Sequence, residues 1–116
     1  MNDQTPSFDK SWMLAQIGED EDLLHEVAQV FILDYPRLKE MLSQALSSHD
    51  SQALHAAAHA TKSAVGNFGA TAAVEAAKAL EAACKEEAGE CYAKCYQALL
   101  EQVDHLAAEL KAELGE

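Results

Sequence analysis

Residues 55–70 read HAAAHATKSAVGNFGA, and two of them carry reactive chemistry about one helical turn apart: His59 and, three residues on, Lys62. Histidine side chains ordinarily titrate near ~6.5, so around neutral pH an imidazole offers a lone pair on one nitrogen and an orientable N–H on the other. Such a ring is a nucleophile, and a neighbouring ammonium can neutralise negative charge on whatever group it attacks. The remaining residues of the stretch are mostly Ala, Ser and Gly. A large partner could therefore come close to the ring.

The charge pattern marks the same place. The chain of 116 residues holds 20 acidic and 8 basic side chains, a net charge of −12. Between Ser51 and Val74 there is no Asp or Glu, and Lys62 is the only fixed charge. An incoming dianionic phosphoryl group would meet no short-range repulsion there.

Written as a helix at about 100° per residue, Leu54, Ala58, Thr61, Val65 and Phe68 form a core stripe, and His59 lies about 140° from Leu54. His55, Lys62 and Gly66 share the histidine's stripe, with Ser63 beside it. Gly66 calls for an explanation, since a glycine within a helix costs about 0.5–1 kcal/mol relative to alanine. Close backbone packing, a fraying helix end or the approach of a partner would each account for it.

The elements that must position these residues are all helical. Alanine is abundant, while Pro and Gly number two and five. Residues 1–7 are polar and expected to be disordered. From Phe8 to Ile17, Trp12, Met13 and Ile17 give a short amphipathic lid helix, with Trp12 expected to plug the end of a bundle and Gly18 to stop it. The acidic run Glu19 to Asp22 suits a helix N-terminus rather than a metal site. Beyond it Leu24, Val27, Phe31, Leu38, Leu42 and Ala45 keep the 3.6 period across Pro36, which favours one helix over two collinear ones. Ser47 to Asp50 make a turn, with Asp50 or Ser51 capping the histidine helix, which ends between Gly66 and Gly69. A further helix over 70–86 turns Ala73, Val74, Ala77, Leu80 and Cys84 inward and carries Lys78, Glu81 and Lys85 on its flank. After Gly89, expected to be its C-terminal stop, a last helix over 90–114 repeats Tyr92, Cys95, Leu99, Val103, Leu106, Leu110 and Leu114. Long helices with short turns predict an all-α fold, an antiparallel four-helix bundle with a short N-terminal lid helix, as a single domain over 8–116.

The stretch His59, Ala60, Thr61, Lys62, Ser63, Ala64, then Gly69 and Ala70, resembles the motif H-x-L-K-G-S-x-x-x-x-G-A of the histidine-containing phosphotransfer (HPt) domains of multistep two-component phosphorelays. Thr61, Ser63 and Ala64 depart from it, at the positions of Leu, Gly and Ser. The segment from Ile17 to Leu46 looks like that family's long docking helix, and Glu81 lies where the family places a Glu or Gln that hydrogen-bonds the ring. The resemblance implies a carrier that accepts a phosphoryl group from a receiver-domain aspartate onto His59 and passes it to another receiver's aspartate. Lys62 and Glu81 would assist, and His55, Ser63, Gly66, Asn67, Lys78, Lys85, Phe31 and Leu38 would meet the partner, Phe31 and Leu38 being core candidates first. The partner is a receiver domain of a hybrid sensor kinase or a response regulator. The carrier needs no cofactor of its own, since magnesium comes with the partner.

Other classes fit less well. There is no P-loop or kinase glycine loop, so self-phosphorylation is not expected. The acidity and the absence of a basic stripe disfavour nucleic acid. No signal peptide or membrane span is visible, which points to a cytoplasmic protein, and so acidic a surface suggests a monomer. Three cysteines, Cys84, Cys91 and Cys95, read as free thiols rather than a disulfide framework. A metal site built from His55, His59 and the cysteines is the weaker reading, and no metal is expected. His25, His49 and His105 have no evident constellation. The alternative to a phosphocarrier is a helical adaptor of the same fold that binds a signalling protein through the small-residue face around His59 without being phosphorylated.

Overall fold

The structure, a computed structural model, describes residues 8–115; the expected disorder of residues 1–7 falls outside the described residues. Five α-helices follow one another: α1 Lys10–Gln16, α2 Glu21–Ser47, α3 Ser51–Gly66, α4 Thr71–Lys85 and, after a 3₁₀ turn at Gly89–Cys91, α5 Tyr92–Glu113. Helices α2 to α5 form the bundle: each packs on the next, α5 closes on α2, and α1 lies across one end.

Three aspartates start helices by the same device. Asp9, Asp20 and Asp50 each accept a hydrogen bond from the backbone N–H three residues on, in Trp12, Leu23 and Ala53. Glu21 and Asp22 add negative charge to the first turn of α2, where the helix dipole favours it. Pro36 removes one backbone donor inside α2, yet the helix runs on through it, held by Phe31 and Leu38 buried on either side.

Two helix ends differ from expectation. Gly89 does not stop α4; it opens the 3₁₀ turn, and the left-handed residue is Glu87, at φ +54°. The chain reverses there through bonds from the Glu87 and Ala88 N–H groups to the Cys84 and Ala83 carbonyls. His49, also at φ +54°, ends α2 in the same way. At both places the backbone takes a conformation that glycine adopts more cheaply, by about 1–2 kcal/mol.

One apolar core runs the length of the bundle, from Leu24, Phe31 and Leu38 through Leu54, Val65 and Leu80 to Leu99, Leu106 and Leu110. Val27, Val74, Tyr92, Cys95 and Leu114, expected inside, sit partly buried at its margin. Thr61 is fully buried on α3 and its hydroxyl donates to the Ala57 carbonyl at 2.8 Å, so a polar side chain is tolerated in the stripe.

At the lid, Met13 plugs the bundle, whereas Trp12 stays 42% exposed. Trp12 instead lies over Gly69, where a Cβ would come within 2.9 Å of the indole. Gly69, at φ +63°, supplies both the turn and the space. The Asp9 N–H donates to the Phe68 carbonyl, and Phe8 meets Phe68 edge-on at 6.1 Å. Buried Phe68 contacts Phe31 in turn, so the lid is built onto the segment that ends the histidine helix.

Candidate functional site

His59 stands on the outer face of α3, opposite the stripe that buries Leu54, Ala58 and Val65. Its side chain is 62% exposed. The neighbouring α4 brings up Glu81, whose carboxylate is only 13% exposed and spans two groups of α3. One oxygen lies 2.8 Å from His59 Nδ1, and the other accepts from Lys62 Nζ at 2.9 Å. His59 and Lys62, a turn apart, are thus drawn to one carboxylate.

The electrostatics set the histidine's tautomer. Partial burial pushes the Glu81 carboxyl up, but hydrogen bonds and charge from Lys62 and His59 outweigh it and hold the group below its ordinary value near 4.5. An ionised carboxylate only accepts, so Nδ1 must carry the proton. In the neutral ring the lone pair then sits on Nε2, the nitrogen that Glu81 does not engage. Glu81 does not pair with Lys78 or Lys85, as helical spacing alone would allow.

Of the other residues singled out in the sequence, Ser63 and Asn67 are exposed and His55 is half-buried, all on α3 or its C-terminal cap. A Cβ placed on Gly66 would meet nothing within 4 Å. Packing inside this chain therefore does not require that glycine. Lys78 turns to Glu75 on its own helix at 3.6 Å, and Lys85 lies by the start of α3, lining a groove with Ser51 and Gln52. Neither joins the His59 cluster. Phe31 and Leu38 are 4% and 2% exposed, so they are not docking residues: their side chains fill the core beneath the surface.

The apolar surface that sequence reasoning missed is also on α2. Leu23, Val30 and Leu33 are exposed, Leu33 the most at 79%. Leu23 and Val30 share an angular position with Met41, which lines a groove against Ala53 and Ala56 of α3. Leu23 and Val30 thus lie on the side of α2 that faces the histidine helix, and Leu33 points farther out to solvent. The signal for this surface was the density of the run LLHEVAQVFIL, which holds more apolar residues than one buried stripe can take.

The histidines and cysteines do not gather as a metal site. Among the described residues, the one group of potential ligands close enough together is Glu21, His25 and Glu113, at the lid end. There Lys10 Nζ already lies 2.7 Å from Glu113 and 3.5 Å from Glu21. His25 therefore does have a constellation, as does His105, which pairs with Glu109 at 2.8 Å. No helix of the described residues is long and apolar enough to cross a membrane.

Comparison with known proteins agrees with this architecture. The crystal structure of histidine-containing phosphotransfer protein B from Pseudomonas aeruginosa PAO1 superposes with a TM-score of 0.86 over 97% of each chain, at 22% sequence identity, a likeness of fold. No curated protein matches the chain significantly. The sequence profile of the Hpt domain matches residues 26–112, which span His59, Lys62 and Glu81 together with most of the bundle. The chain belongs to the Hpt domain family, the phosphocarriers of multistep phosphorelays.

Proposed function

We propose that His59 is the phosphoacceptor and that Nε2 is the atom that reacts. The observation that carries this is the hydrogen bond between Nδ1 and the Glu81 carboxylate, which leaves Nε2 the unengaged nitrogen of a largely exposed side chain. In the transfer, the Nε2 lone pair attacks the phosphorus of an aspartyl phosphate, and the bond from phosphorus to the aspartate oxygen breaks. The aspartate leaves as a carboxylate. The ring keeps its Nδ1 proton and gains positive charge, which Glu81 stabilises. Attack on the phosphohistidine by a second receiver's aspartate reverses these events. Lys62, a turn from His59, offers its ammonium to the phosphoryl oxygens.

Phosphoryl transfer rests mainly on positioning and electrostatics, so a carrier with one nucleophile, one carboxylate and one ammonium suffices. Magnesium and the reacting aspartates belong to the receiver domain, of a hybrid kinase or a response regulator. The carrier brings no ATP site and acts as a cytoplasmic monomer. Its docking face is the small-residue surface of α3, with His55, Ser63, Gly66 and Asn67, continued by Leu23, Val30 and Leu33 of α2. Lys78 and Lys85 border that face and would steer the partner rather than touch the phosphoryl group.

The test is transfer of radiolabel from phosphorylated receiver domains of the same cell to the wild type and to His59→Ala. Acid-labile, alkali-stable label on the wild type alone is the expected result. Label that persists in folded His59→Ala would move the acceptor elsewhere.

A further inference from the structure

The phosphorelay chemistry leaves three thiols unused, and two of them lie at the joined ends of neighbouring helices. Cys84 lies in the last turn of α4 and Cys95 in the first turn of α5. The two helices are antiparallel neighbours joined by a short connection, which puts those turns at the same height in the bundle. Cys84 is 5% exposed and belongs to the core, while half-buried Cys95 packs against that core. Burial raises the Cys84 thiol above its ordinary range, and negative charge on Cys95 and on Glu81 would push it the same way. Cys84 is not sealed off: it lines a polar groove with His49, Ser51, Lys85 and Glu87.

We propose that Cys84 and Cys95 are an oxidisable dithiol, which a peroxide closes into a disulfide pinning the end of α4 to the start of α5. The more exposed Cys95 meets the oxidant. Its thiolate sulfur attacks one peroxide oxygen, the O–O bond breaks, and a sulfenic acid and hydroxide result, the hydroxide taking up the thiol's proton as water. The Cys84 sulfur then attacks the sulfenic sulfur, gives up its proton and releases a second water. Two thiols supply the two electrons that reduce one hydrogen peroxide. Cys91 is the less suited partner for Cys95: it closes the 3₁₀ turn at the N-cap of α5 and is exposed, outside the core that Cys84 and Cys95 share. The bond would lie one turn from Glu81, on the helix that carries it.

The experiment treats the full chain with stoichiometric hydrogen peroxide, blocks remaining thiols with N-ethylmaleimide and maps tryptic peptides without reduction. Lys78, Lys85, Lys94 and Lys111 are trypsin sites that place the three cysteines on separate peptides. The expected product joins the Cys84 and Cys95 peptides, leaves Cys91 alkylated and reverts with dithiothreitol. Cys91→Ser gives the same cross-link, and Cys95→Ser leaves Cys84 reduced. A Cys91–Cys95 bond, a dimer linked through Cys91, or an oxyacid at Cys95 with Cys84 still alkylated would overturn the proposal, provided circular dichroism shows the helices intact. None of these readouts depends on whether His59 carries phosphate.

Discussion

The molecule contains the same trio of residue types twice. On the face of α3 and α4, Glu81 draws together His59 and Lys62; at the lid, Glu113 draws together His25 and Lys10. Both carboxyls are held below their ordinary value, Glu113 chiefly by its hydrogen bond from Lys10 and Glu81 by Lys62 and His59 against burial. What differs is the nitrogen in use and the surroundings. Glu81 holds Nδ1 at 2.8 Å and leaves Nε2 unengaged, whereas Nε2 of His25 is the atom nearest Glu113, at 3.7 Å. The second cluster also includes Glu21, while α3, which carries His59 and Lys62, has no acidic residue. Composition alone does not make a nucleophile. The free atom and the sign of the local field do.

The strongest contrast lies between the two histidines. His59→Ala should reduce phosphoryl transfer on the order of a thousandfold or more, the usual consequence of removing the reacting group, while His25→Ala leaves the transfer rate unchanged. Equal losses in the two variants, measured by single-turnover transfer, would erase the distinction.

Next come the two carboxylates. Glu81→Gln keeps an acceptor for Nδ1 but removes the charge that stabilises the phosphorylated ring, and transfer should slow by about 10- to 100-fold. Glu113→Gln should leave transfer intact and lower the urea midpoint instead, by loosening α1.

A glycine pair extends the comparison from chemistry to shape. Gly69→Ala must adopt a positive φ beneath Trp12 and should cost about 1–2 kcal/mol or more in urea unfolding, at the lid. Gly66→Ala meets open space within a helix and should stabilise by about 0.5–1 kcal/mol, yet weaken receiver binding in calorimetry. Unchanged affinity would remove Gly66 from the docking face.

The smallest effect is on acid stability, where the clusters should behave alike. A carboxyl depressed in the folded state takes up protons more readily when unfolded, so its stabilisation is complete above the ordinary value near 4.5 and is lost as pH falls through the depressed one. The urea midpoint of the wild type should therefore exceed that of Glu113→Gln above pH 4.5, with the gap closing below it. Glu81→Gln should show the same closing gap.

Much of this was legible in the chain. Helical periodicity located the four bundle helices and set His59 and Lys62 on one face, because helix faces follow from local geometry; Glu81 was placed at the ring only by the resemblance to the HPt motif, since helical spacing alone would equally have paired it with Lys78 or Lys85. The lid shows the limit. Trp12 and Met13 are adjacent and both apolar, so which one plugs the bundle depends on how α1 is set on its neighbours. The Lys10–Glu113 pair joins residues at opposite ends of the chain, and no local pattern announces it. Glu87 and His49 at positive φ were likewise hidden, since a glycine two residues on, Gly89, drew the turn signal away from Glu87, and a single histidine marks the left-handed region far less clearly than glycine. The exposure of Val30 and Leu33 emerged only once the buried stripe of α2 was known.

The lid also brings the two ends of the described fold together, with the Phe8 N–H donating to Glu109 at 2.7 Å and Lys10 reaching Glu113. Polypeptide entering at Phe8 and leaving after Glu113 meets the bundle at one pole, while His59 sits partway down its side. A flexible tether attached at either terminus would leave the histidine's face clear. Joined in that way to a signalling enzyme, the carrier would gain effective concentration at its donor without surrendering access to a second, freely diffusing acceptor.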